Sequence, residues 1–336
     1  MFMQIHLDWV THQLKFRFPF QIAHGVRTHT DVVFLRLRFD GLIGYGEAAL
    51  PPYLPDNIES TIAFFEKVKH DGLELPDSIP AFMAQLNKKH EGNMPAKAAL
   101  DVALWNLSAR LREKSSFEKI SSFHLPGVVD RGRIIPHTYT IGICSRDEMK
   151  LKINHALENG FQFFKLKMNG TDDEQMLSDF KSFSDLPFAI DANQGWNDVE
   201  DAIAFSKQLE TAGCVLIEQP FHKNDRVKSR RLKDEMNIPV IADEACQRLS
   251  DIDSLAESFS GINIKLQKCG GLSEAMEMIS KAKSLGLKIL IGCMSESSVG
   301  CNAGEALAPL CDWADLDGPW LIEDNPDMQM LFSGLE

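Results

Sequence analysis

The second half of the chain repeats one pattern, a short apolar run that ends on an acid. Residues 188–191 read Phe-Ala-Ile-Asp, residues 215–218 read Val-Leu-Ile-Glu and residues 240–243 read Val-Ile-Ala-Asp. The acids lie about 25 residues apart, which is enough for a strand, a return helix and their loops. Lys167 precedes this series and Lys265 follows it at a similar interval. The pattern predicts consecutive parallel strands that carry charged residues at their carboxyl ends.

Eight apolar runs alternate with helical segments from residue 139 onward. They are Tyr139–Ile143, Phe161–Met168, Phe188–Ile190, Val215–Ile217, Val240–Ala242, Ile262–Leu266, Ile289–Ile291 and a weak run near Trp313. This rhythm is typical of a TIM-like barrel. A doubly wound sheet is the alternative, disfavoured because no glycine-rich phosphate turn follows the first strand. Thr171 with Glu174 and Asn197 with Glu200 predict capping boxes on two of the helices.

The first part of the chain has a different organisation. The alternating segments 32–39 and 42–47 flank Asp40-Gly41, which predicts a β-hairpin. Helical patterns follow, one capped by Asn57 and one opened by Pro95. Strands followed by helices indicate a separate α+β domain. We therefore predict one domain over residues 1–130 and a barrel over residues 131–320.

Composition narrows the function classes. The 336 residues carry a net charge of -13, which argues against non-specific binding to nucleic acid. The N-terminus has no uncharged apolar core of a signal peptide, and no run is long enough for a membrane span. The seven cysteines contain no C-x-x-C pair, so they resemble reduced thiols rather than a disulfide framework or zinc site. We expect a cytoplasmic protein, and the sequence is compatible with either a monomer or a homo-oligomer.

Asp191, Glu218 and Asp243 form the candidate metal site. The carboxyl ends of barrel strands meet at one mouth, so the three carboxylates are expected to converge there. Hard oxygen ligands suit one Mg²⁺ per subunit, with Mn²⁺ as an alternative. Each acid alone could be a solvated loop residue or a helix cap. Three on successive strand ends would each need a separate counter-charge near the barrel axis, which favours the metal site.

Three lysines are the candidate bases. Lys165 and Lys167 lie two apart on one strand and share a face, so mutual repulsion is expected to lower a lysine pKa. Lys265 lies within an apolar run near the opposite wall, where an unpartnered lysine would be costly. An ordinary surface lysine is the alternative. A metal between two bases suits abstraction of a proton next to a carboxylate and its return from either face.

These motifs resemble the enolase superfamily, muconate-lactonising subgroup, over essentially the whole chain. The similar segments are Phe164-Lys165-Leu166-Lys167, Asp191-Ala192-Asn193, Glu218-Gln219-Pro220, Asp243-Glu244, Ile264-Lys265, Gly44-Tyr45-Gly46-Glu47-Ala48 and Ala98–Trp105. Asn106 departs from the pattern, since an acid usually follows the tryptophan. The resemblance implies an α/β fold, a modified TIM-type (β/α)7β barrel with an α+β N-terminal capping domain. It also implies that residues 321–336 contribute to the capping domain.

The resemblance further implies the reaction. Asp315-Leu316-Asp317 is similar to the Asp-x-Asp that holds the substrate ammonium in dipeptide epimerases; a helix-capping acid cluster is the alternative. Mg²⁺ on the acid triad would bind the substrate carboxylate, and Lys167 and Lys265 would act on opposite faces of the α-carbon. Lys165 would stay charged beside the carboxylate. The remaining substrate contacts would be Thr140, Cys293, Met294 and Ser295, although Cys293 and Met294 could instead be barrel core.

Specificity is predicted from residues 20–31, which resemble the mobile loop that contacts the second residue of the substrate. Glutamate-preferring relatives often carry an arginine where this chain has His24, with Arg27 nearby as a substitute. We therefore expect an apolar second residue, as in Ala-Val or Ala-Ala. The alternatives are L-Ala-D/L-Glu epimerase, or o-succinylbenzoate synthase or a muconate-type cycloisomerase on the same framework. A barrel that keeps the metal site without catalysis is a further alternative.

Overall fold

The structure is a computed structural model that describes residues 4–22, 25–116, 123–125 and 135–335. These residues form a four-stranded antiparallel sheet and an eight-stranded parallel sheet. The predicted domain boundary near residue 130 and the specificity candidate His24 lie outside the described residues. Among the described helices, none combines the length and the apolar character needed to cross a membrane.

The N-terminal domain combines four strands with three helices. Its elements are β1 (Gln4–Ile22), β2 (Gly25–Phe39), β3 (Leu42–Leu50), α1 (Ile58–Asp71), β4 (Leu73–Glu74), α2 (Ile79–Lys89) and α3 (Met94–Ser116). Asp40 and Gly41 have φ angles of 51° and 75°, as the tight turn between β2 and β3 requires. Asn57 caps α1 by accepting a hydrogen bond from the Ser60 N–H. The predicted hairpin and the predicted cap are both confirmed.

All eight predicted strands are present and form the barrel. The barrel elements are β5 (Tyr139–Ile141), α4 (Arg146–Glu158), β6 (Phe164–Lys167), α5 (Asp173–Phe183), β7 (Phe188–Asp191), α6 (Val199–Ala212), β8 (Cys214–Glu218), α7 (Arg226–Glu235), β9 (Val240–Ala242), α8 (Ile252–Leu255), β10 (Gly261–Lys265), α9 (Leu266–Cys269), α10 (Leu272–Ser284), β11 (Lys288–Gly292), α11 (Ser298–Glu305) and β12 (Trp313–Asp315). Two short helices follow the last strand, α12 (Gly318–Leu321) and α13 (Met328–Phe332). The strand order from β5 to β12 is sequential. The Thr138 N–H donates to the Ala314 carbonyl at 2.9 Å and closes the ring between β12 and the start of β5. The barrel is therefore confirmed over the doubly wound sheet.

The two predicted capping boxes in the barrel are wrong. Helices α5 and α6 begin one residue later than those boxes require, with Asp172 and Asp198 at the N-cap positions. The Asp198 carboxylate accepts hydrogen bonds from two N–H groups of the first turn, so the helix needs no glutamate to complete a box. The Thr171 N–H donates to the Asn169 side chain instead, which places Thr171 in the preceding turn.

Close packing of α3 on β3 depends on two glycines. A Cβ atom at Gly46 would lie 1.9 Å from the Ala99 carbonyl oxygen, and one at Gly44 would lie 2.2 Å from the Ala103 carbonyl oxygen. Both obstacles are backbone atoms of a buried helix, which cannot move aside as a flexible side chain would. The glycines therefore set the distance between the hairpin and the helix.

Replacing Gly46 by alanine is expected to destabilise the protein by about 1–3 kcal/mol or more, because the added methyl group overlaps the α3 backbone. Chemical denaturation followed by circular dichroism measures this change. Gly334→Ala is the matched control, since nothing lies within 4 Å of a Cβ atom there. A Gly46→Ala protein as stable as the Gly334→Ala control would contradict the packing account.

The segment after the barrel packs back onto the N-terminal sheet. Phe16 and Ile322 form an isolated antiparallel bridge. The Arg17 guanidinium donates to the Glu323 carbonyl at 2.9 Å. The Phe332 ring packs on the Tyr45 ring at a centroid distance of 5.8 Å. These contacts hold β1 and β3 against the segment that follows the barrel.

Candidate active site

The strand register brings the predicted charged residues into one layer at the carboxyl end of the barrel. Lys167 on β6 pairs with Asp191 on β7, and Asp191 pairs with Glu218 on β8. Lys265 on β10 and Asp315 on β12 lie at one level, on either side of β11. Since β10 is four strands from β6 in an eight-stranded ring, Lys167 and Lys265 stand on opposite walls.

Asp191, Glu218 and Asp243 form a buried cluster of carboxylates. Each offers one oxygen atom, and these three atoms all lie within 4.8 Å of one another. Burial, and then the negative charge of Asp191, raise the pKa of Glu218 to about 7. Three carboxylates packed this closely away from water require cations nearby. Part of that positive charge comes from lysines of the same layer.

Lys165 and Lys167 contact the acids from β6. The Lys165 ammonium donates to Glu218 Oε2 at 3.0 Å and to Asp315 Oδ2, and lies 3.4 Å from Asp191 Oδ2. The Lys167 ammonium donates to Asp191 Oδ2 at 2.5 Å. Burial alone would lower the pKa of Lys165, but the charges of Asp315, Glu218 and Asp191 outweigh it and raise the pKa well above the usual value.

Lys265 and Lys268 contact the opposite side of the cluster. The Lys265 ammonium donates to Asp243 Oδ2 at 2.8 Å, and the Lys268 ammonium donates to Asp243 Oδ1 at 2.5 Å. Against the effect of burial, Asp243 and Glu218 raise the pKa of Lys265 well above its usual value. The expected lowering of a lysine pKa is therefore wrong for Lys165. Attraction to the carboxylates on neighbouring strands exceeds the repulsion between lysines.

Asp315 and Asp317 lie side by side at the junction of β12 and β5. Asp315 Oδ1 accepts a hydrogen bond from the Thr138 hydroxyl at 2.5 Å, while Asp315 Oδ2 pairs with Lys165. Asp317 Oδ2 accepts from the Thr140 N–H at 2.5 Å. Burial, and then the charge of Asp315, raise the pKa of Asp317 to about 7. An ammonium group placed here would favour the ionised form of Asp317.

A cavity of 360 Å³ lies over this layer. The predicted residues that line it are Thr140, Lys165, Lys167, Asp243, Lys265, Cys293, Met294, Ser295, Asp315 and Asp317. Cys293 and Met294 therefore face the cavity. Asp191 and Glu218 contact the lining residues Lys167 and Lys165 rather than the cavity itself. Phe20, Tyr53, Leu54, Gln194 and Lys268 also line the cavity. Sequence reasoning missed these five residues; four belong to loops or strand ends that periodicity does not place, whereas Lys268 follows Lys265 by three residues, the one usable signal.

The guanidinium of Arg27 lies in the cavity among aromatic rings. Its central carbon is 5.4 Å from the Phe16 ring centre, 5.7 Å from that of Phe20 and 5.6 Å from that of Tyr53. Nη2 donates to the Ser295 hydroxyl at 3.3 Å, whereas Nε and Nη1 are buried with no partner among the described residues. Burial lowers the pKa of Arg27. A buried guanidinium with free donors suits an anionic group of a ligand.

The N-terminal domain holds the loop that carries Cys293, Met294 and Ser295. The Glu47 carboxylate on β3 accepts from the Ser297 N–H at 2.9 Å, the Ser297 hydroxyl at 2.6 Å and the Gly300 N–H at 3.0 Å. Burial, and then the charge of Glu296, raise the pKa of Glu47 to about 8. The Glu47 hairpin, which resembled that of the capping domain, thus supports one wall of the cavity.

Family comparisons agree with this architecture. The N-terminal domain of the mandelate racemase / muconate lactonizing enzyme family matches residues 4–119, and the enolase C-terminal domain-like family matches residues 148–317. The chain belongs to the enolase superfamily. The resemblance stated from the sequence motifs is confirmed.

Individual members of the enolase superfamily are similar over nearly the whole chain. L-Ala-D/L-Glu epimerase of Bacteroides thetaiotaomicron is 34% identical, over 96% of this chain and 82% of that protein. A hydrophobic dipeptide epimerase of Flavobacteria bacterium (strain MS024-2A) is 33% identical, over 93% of this chain and 89% of that protein. Both relatives are named as epimerases of dipeptides.

Two solved structures of the superfamily have the same fold. The substrate-liganded L-Ala-D/L-Glu epimerase from Bacillus subtilis superposes with a TM-score of 0.85 at 26% identity, covering 96% of this chain and 92% of that one. Dipeptide epimerase from Cytophaga hutchinsonii, complexed with Mg and D-Ala-L-Val, has a TM-score of 0.83 at 25% identity, covering 97% and 89%.

The acid cluster of this superfamily member could hold such a Mg²⁺ ion. Asp191, Glu218 and Asp243 supply only hard oxygen ligands, which is the donor set that Mg²⁺ prefers. Besides burial, repulsion by the charges of Asp191 and Asp243 raises the pKa of Glu218. A divalent cation would relieve that repulsion, so the residues present fit the ion.

Proposed function

We propose that this protein is a Mg²⁺-dependent dipeptide epimerase, which inverts the α-carbon of the second residue. The main support is that Lys167 and Lys265 lie on opposite walls of one cavity, and that each contacts a carboxylate of the same buried cluster. Asp191, Glu218 and Asp243 would be the metal ligands. The names of the relatives support the same reaction class.

Different side chains of the site would bind the metal, transfer the proton and supply fixed positive charge. Mg²⁺ on the triad would bind the substrate carboxylate, stabilise the charge left when the α-proton departs and compete with the ammonium groups for the carboxylate oxygens. Lys167 and Lys265 would take and return the proton at their Nζ atoms, one on each face. Lys165, held by Glu218 and Asp315, would stay charged.

Asp317 favours a substrate that carries an ammonium group. It lines the cavity and accepts hydrogen bonds from Thr140, whereas Asp315 already pairs with Lys165. The substrates of o-succinylbenzoate synthase and of a muconate-type cycloisomerase carry no ammonium for this acid to bind. We therefore place the α-ammonium of the dipeptide at Asp317, with Asp315 adjacent.

Exchange of the α-proton for deuterium tests the proposed reaction. NMR in D₂O with Mg²⁺ should show loss of the α-proton signal of the second residue and the appearance of the other epimer. Removal of Mg²⁺ by a chelator should stop both processes. Absence of exchange over a broad panel of L-Ala-L-Xaa dipeptides would exclude the epimerase.

Arg27 favours an acidic second residue. The apolar preference expected from the sequence depends on His24, which lies outside the described residues. The Arg27 guanidinium instead lines the described part of the cavity beside the Ser295 hydroxyl, and its Nε and Nη1 atoms are buried without a partner among the described residues. A carboxylate of the substrate would accept a charge-assisted hydrogen bond from such a donor. We therefore propose an L-Ala-L-Glu-like substrate, the alternative kept open by the sequence.

A further inference from the structure

Four buried lysines contact the acid cluster, and they form two unequal pairs. On the β6 side, Lys165 contacts three different carboxylates and Lys167 contacts one, that of Asp191. On the β10 side, Lys268 and Lys265 share a single carboxylate, that of Asp243. On the β6 wall, Lys165 therefore has more partners than Lys167, and the hydrogen bonds of Lys268 and Lys265 show the same inequality on the β10 wall.

The Lys268 ammonium uses all three of its hydrogen atoms. It donates to Asp243 Oδ1 at 2.5 Å, to the Asp243 carbonyl at 2.8 Å and to the Asn263 carbonyl at 3.0 Å. The side chain is 3% exposed. Lys265 donates only to Asp243 Oδ2 among the described contacts, at 2.8 Å. The Lys268 ammonium is therefore held in place, whereas the Lys265 ammonium has N–H donors without a described partner that could contact a substrate.

We propose that Lys268 is a positioning residue for the half of the reaction performed by Lys265. Lys268 holds Asp243 Oδ1 and the Asp243 backbone, so that the carboxylate keeps one orientation. The Lys265 ammonium can then leave Asp243 Oδ2 and contact the substrate. Lys268 is then the counterpart of Lys165 on the opposite wall. This inference rests on the proposed epimerase function, because it assigns Lys268 to one face of the α-carbon.

Loss of Lys268 should affect one face selectively. Without it, both oxygens of Asp243 are left to Lys265, which then stays paired with the acid instead of reaching the substrate. Lys167 is on the opposite wall and contacts Asp191, so its half of the reaction is spared. A lysine that only stabilised the loop after β10 would produce no difference between the two faces.

The first test measures α-proton exchange separately for the L,L and L,D epimers in D₂O at saturating Mg²⁺. Lys265→Ala identifies the epimer that depends on Lys265. In Lys268→Met, exchange from that epimer should fall by about tenfold or more, while exchange from the other stays within about threefold. Lys268→Arg, which keeps the charge, should recover part of the loss. Equal loss from both epimers, or no loss, would overturn the proposal.

The second test measures Mg²⁺ binding by calorimetry without substrate. Lys268→Met and Lys265→Met each remove one ammonium group that contacts Asp243, so a pure charge effect would change both affinities alike. Because Lys268 orients the carboxylate, Lys268→Met should bind Mg²⁺ about tenfold more weakly than Lys265→Met. Equal affinities would overturn the inference. If Lys268→Met does not fold, Lys268→Arg compared with Lys265→Arg gives the same contrast.

The two tests separate the inference from the function on which it rests. If the wild-type protein exchanges no dipeptide α-proton, the epimerase function is refuted. The comparison of Mg²⁺ affinities then still decides whether Lys268 orients Asp243. If the wild-type protein exchanges the α-proton of both epimers and Lys268→Met slows both exchanges equally, the epimerase function stands and the proposed role of Lys268 is refuted.

Discussion

Replacing Lys265 or Lys167 by alanine is expected to lower the epimerisation rate by about 10²–10⁴-fold, the usual contribution of a positioned acid or base. Each substitution removes the Nζ atom that we propose takes or returns the α-proton on one wall. Polarimetry or NMR of the interconverting epimers measures the rate.

The two variants should differ in what they retain. Lys265→Ala keeps Lys167 as a base, so it should still exchange the α-proton of the epimer that presents this proton to the β6 wall. Lys167→Ala should show the mirror-image behaviour. Loss of epimerisation combined with one-sided exchange is the signature of two bases on opposite walls.

Controls separate loss of chemistry from loss of structure. Both variants should melt cooperatively and still bind Mg²⁺, since Asp191, Glu218 and Asp243 remain. Lys283→Ala makes the same substitution at an exposed position on α10 and should leave the rate unchanged. Epimerisation at the wild-type rate in either Lys265→Ala or Lys167→Ala would refute the two-base proposal.

The barrel could be predicted because six of its eight strands end where an apolar run meets a charged residue. Asp191 and Glu218 terminate β7 and β8, and Lys167 and Lys265 terminate β6 and β10. Strand ends in a parallel barrel converge by topology alone, so the order of the residues was enough to place them together. Helix starts were harder, because Asp172 and Asp198 compete with the capping candidates beside them.

Contacts between strands could not be predicted from spacing. The sequence places Lys165 beside Lys167 and so suggests repulsion, but the acids on β7, β8 and β12 contact the Lys165 ammonium directly. The sign of the pKa shift follows from those neighbours. Loop residues presented the same difficulty, since nothing in the sequence places Tyr53 against the Arg27 guanidinium.

Replacing Arg27 by methionine is expected to lower kcat/KM for L-Ala-L-Glu by roughly 10- to 100-fold. Hydrogen bonds to a charged group are worth about 1.5–3 kcal/mol, and methionine keeps the apolar contacts with Phe16, Phe20 and Tyr53 while removing the donors. Steady-state kinetics with L-Ala-L-Glu and L-Ala-L-Val, run on wild type and variant, measure the change.

The apolar dipeptide is the internal control for this prediction. In wild type, L-Ala-L-Val should be the poorer substrate, because it offers no acceptor to Nε and Nη1, which have no partner among the described residues. In Arg27→Met that penalty disappears, so kcat/KM for L-Ala-L-Val should hold or rise while that for L-Ala-L-Glu falls. Arg27→Lys keeps the charge without the planar pair of donors and should lie between the two. A wild-type preference for L-Ala-L-Val would contradict the assignment of Arg27 and would support the apolar specificity expected from His24.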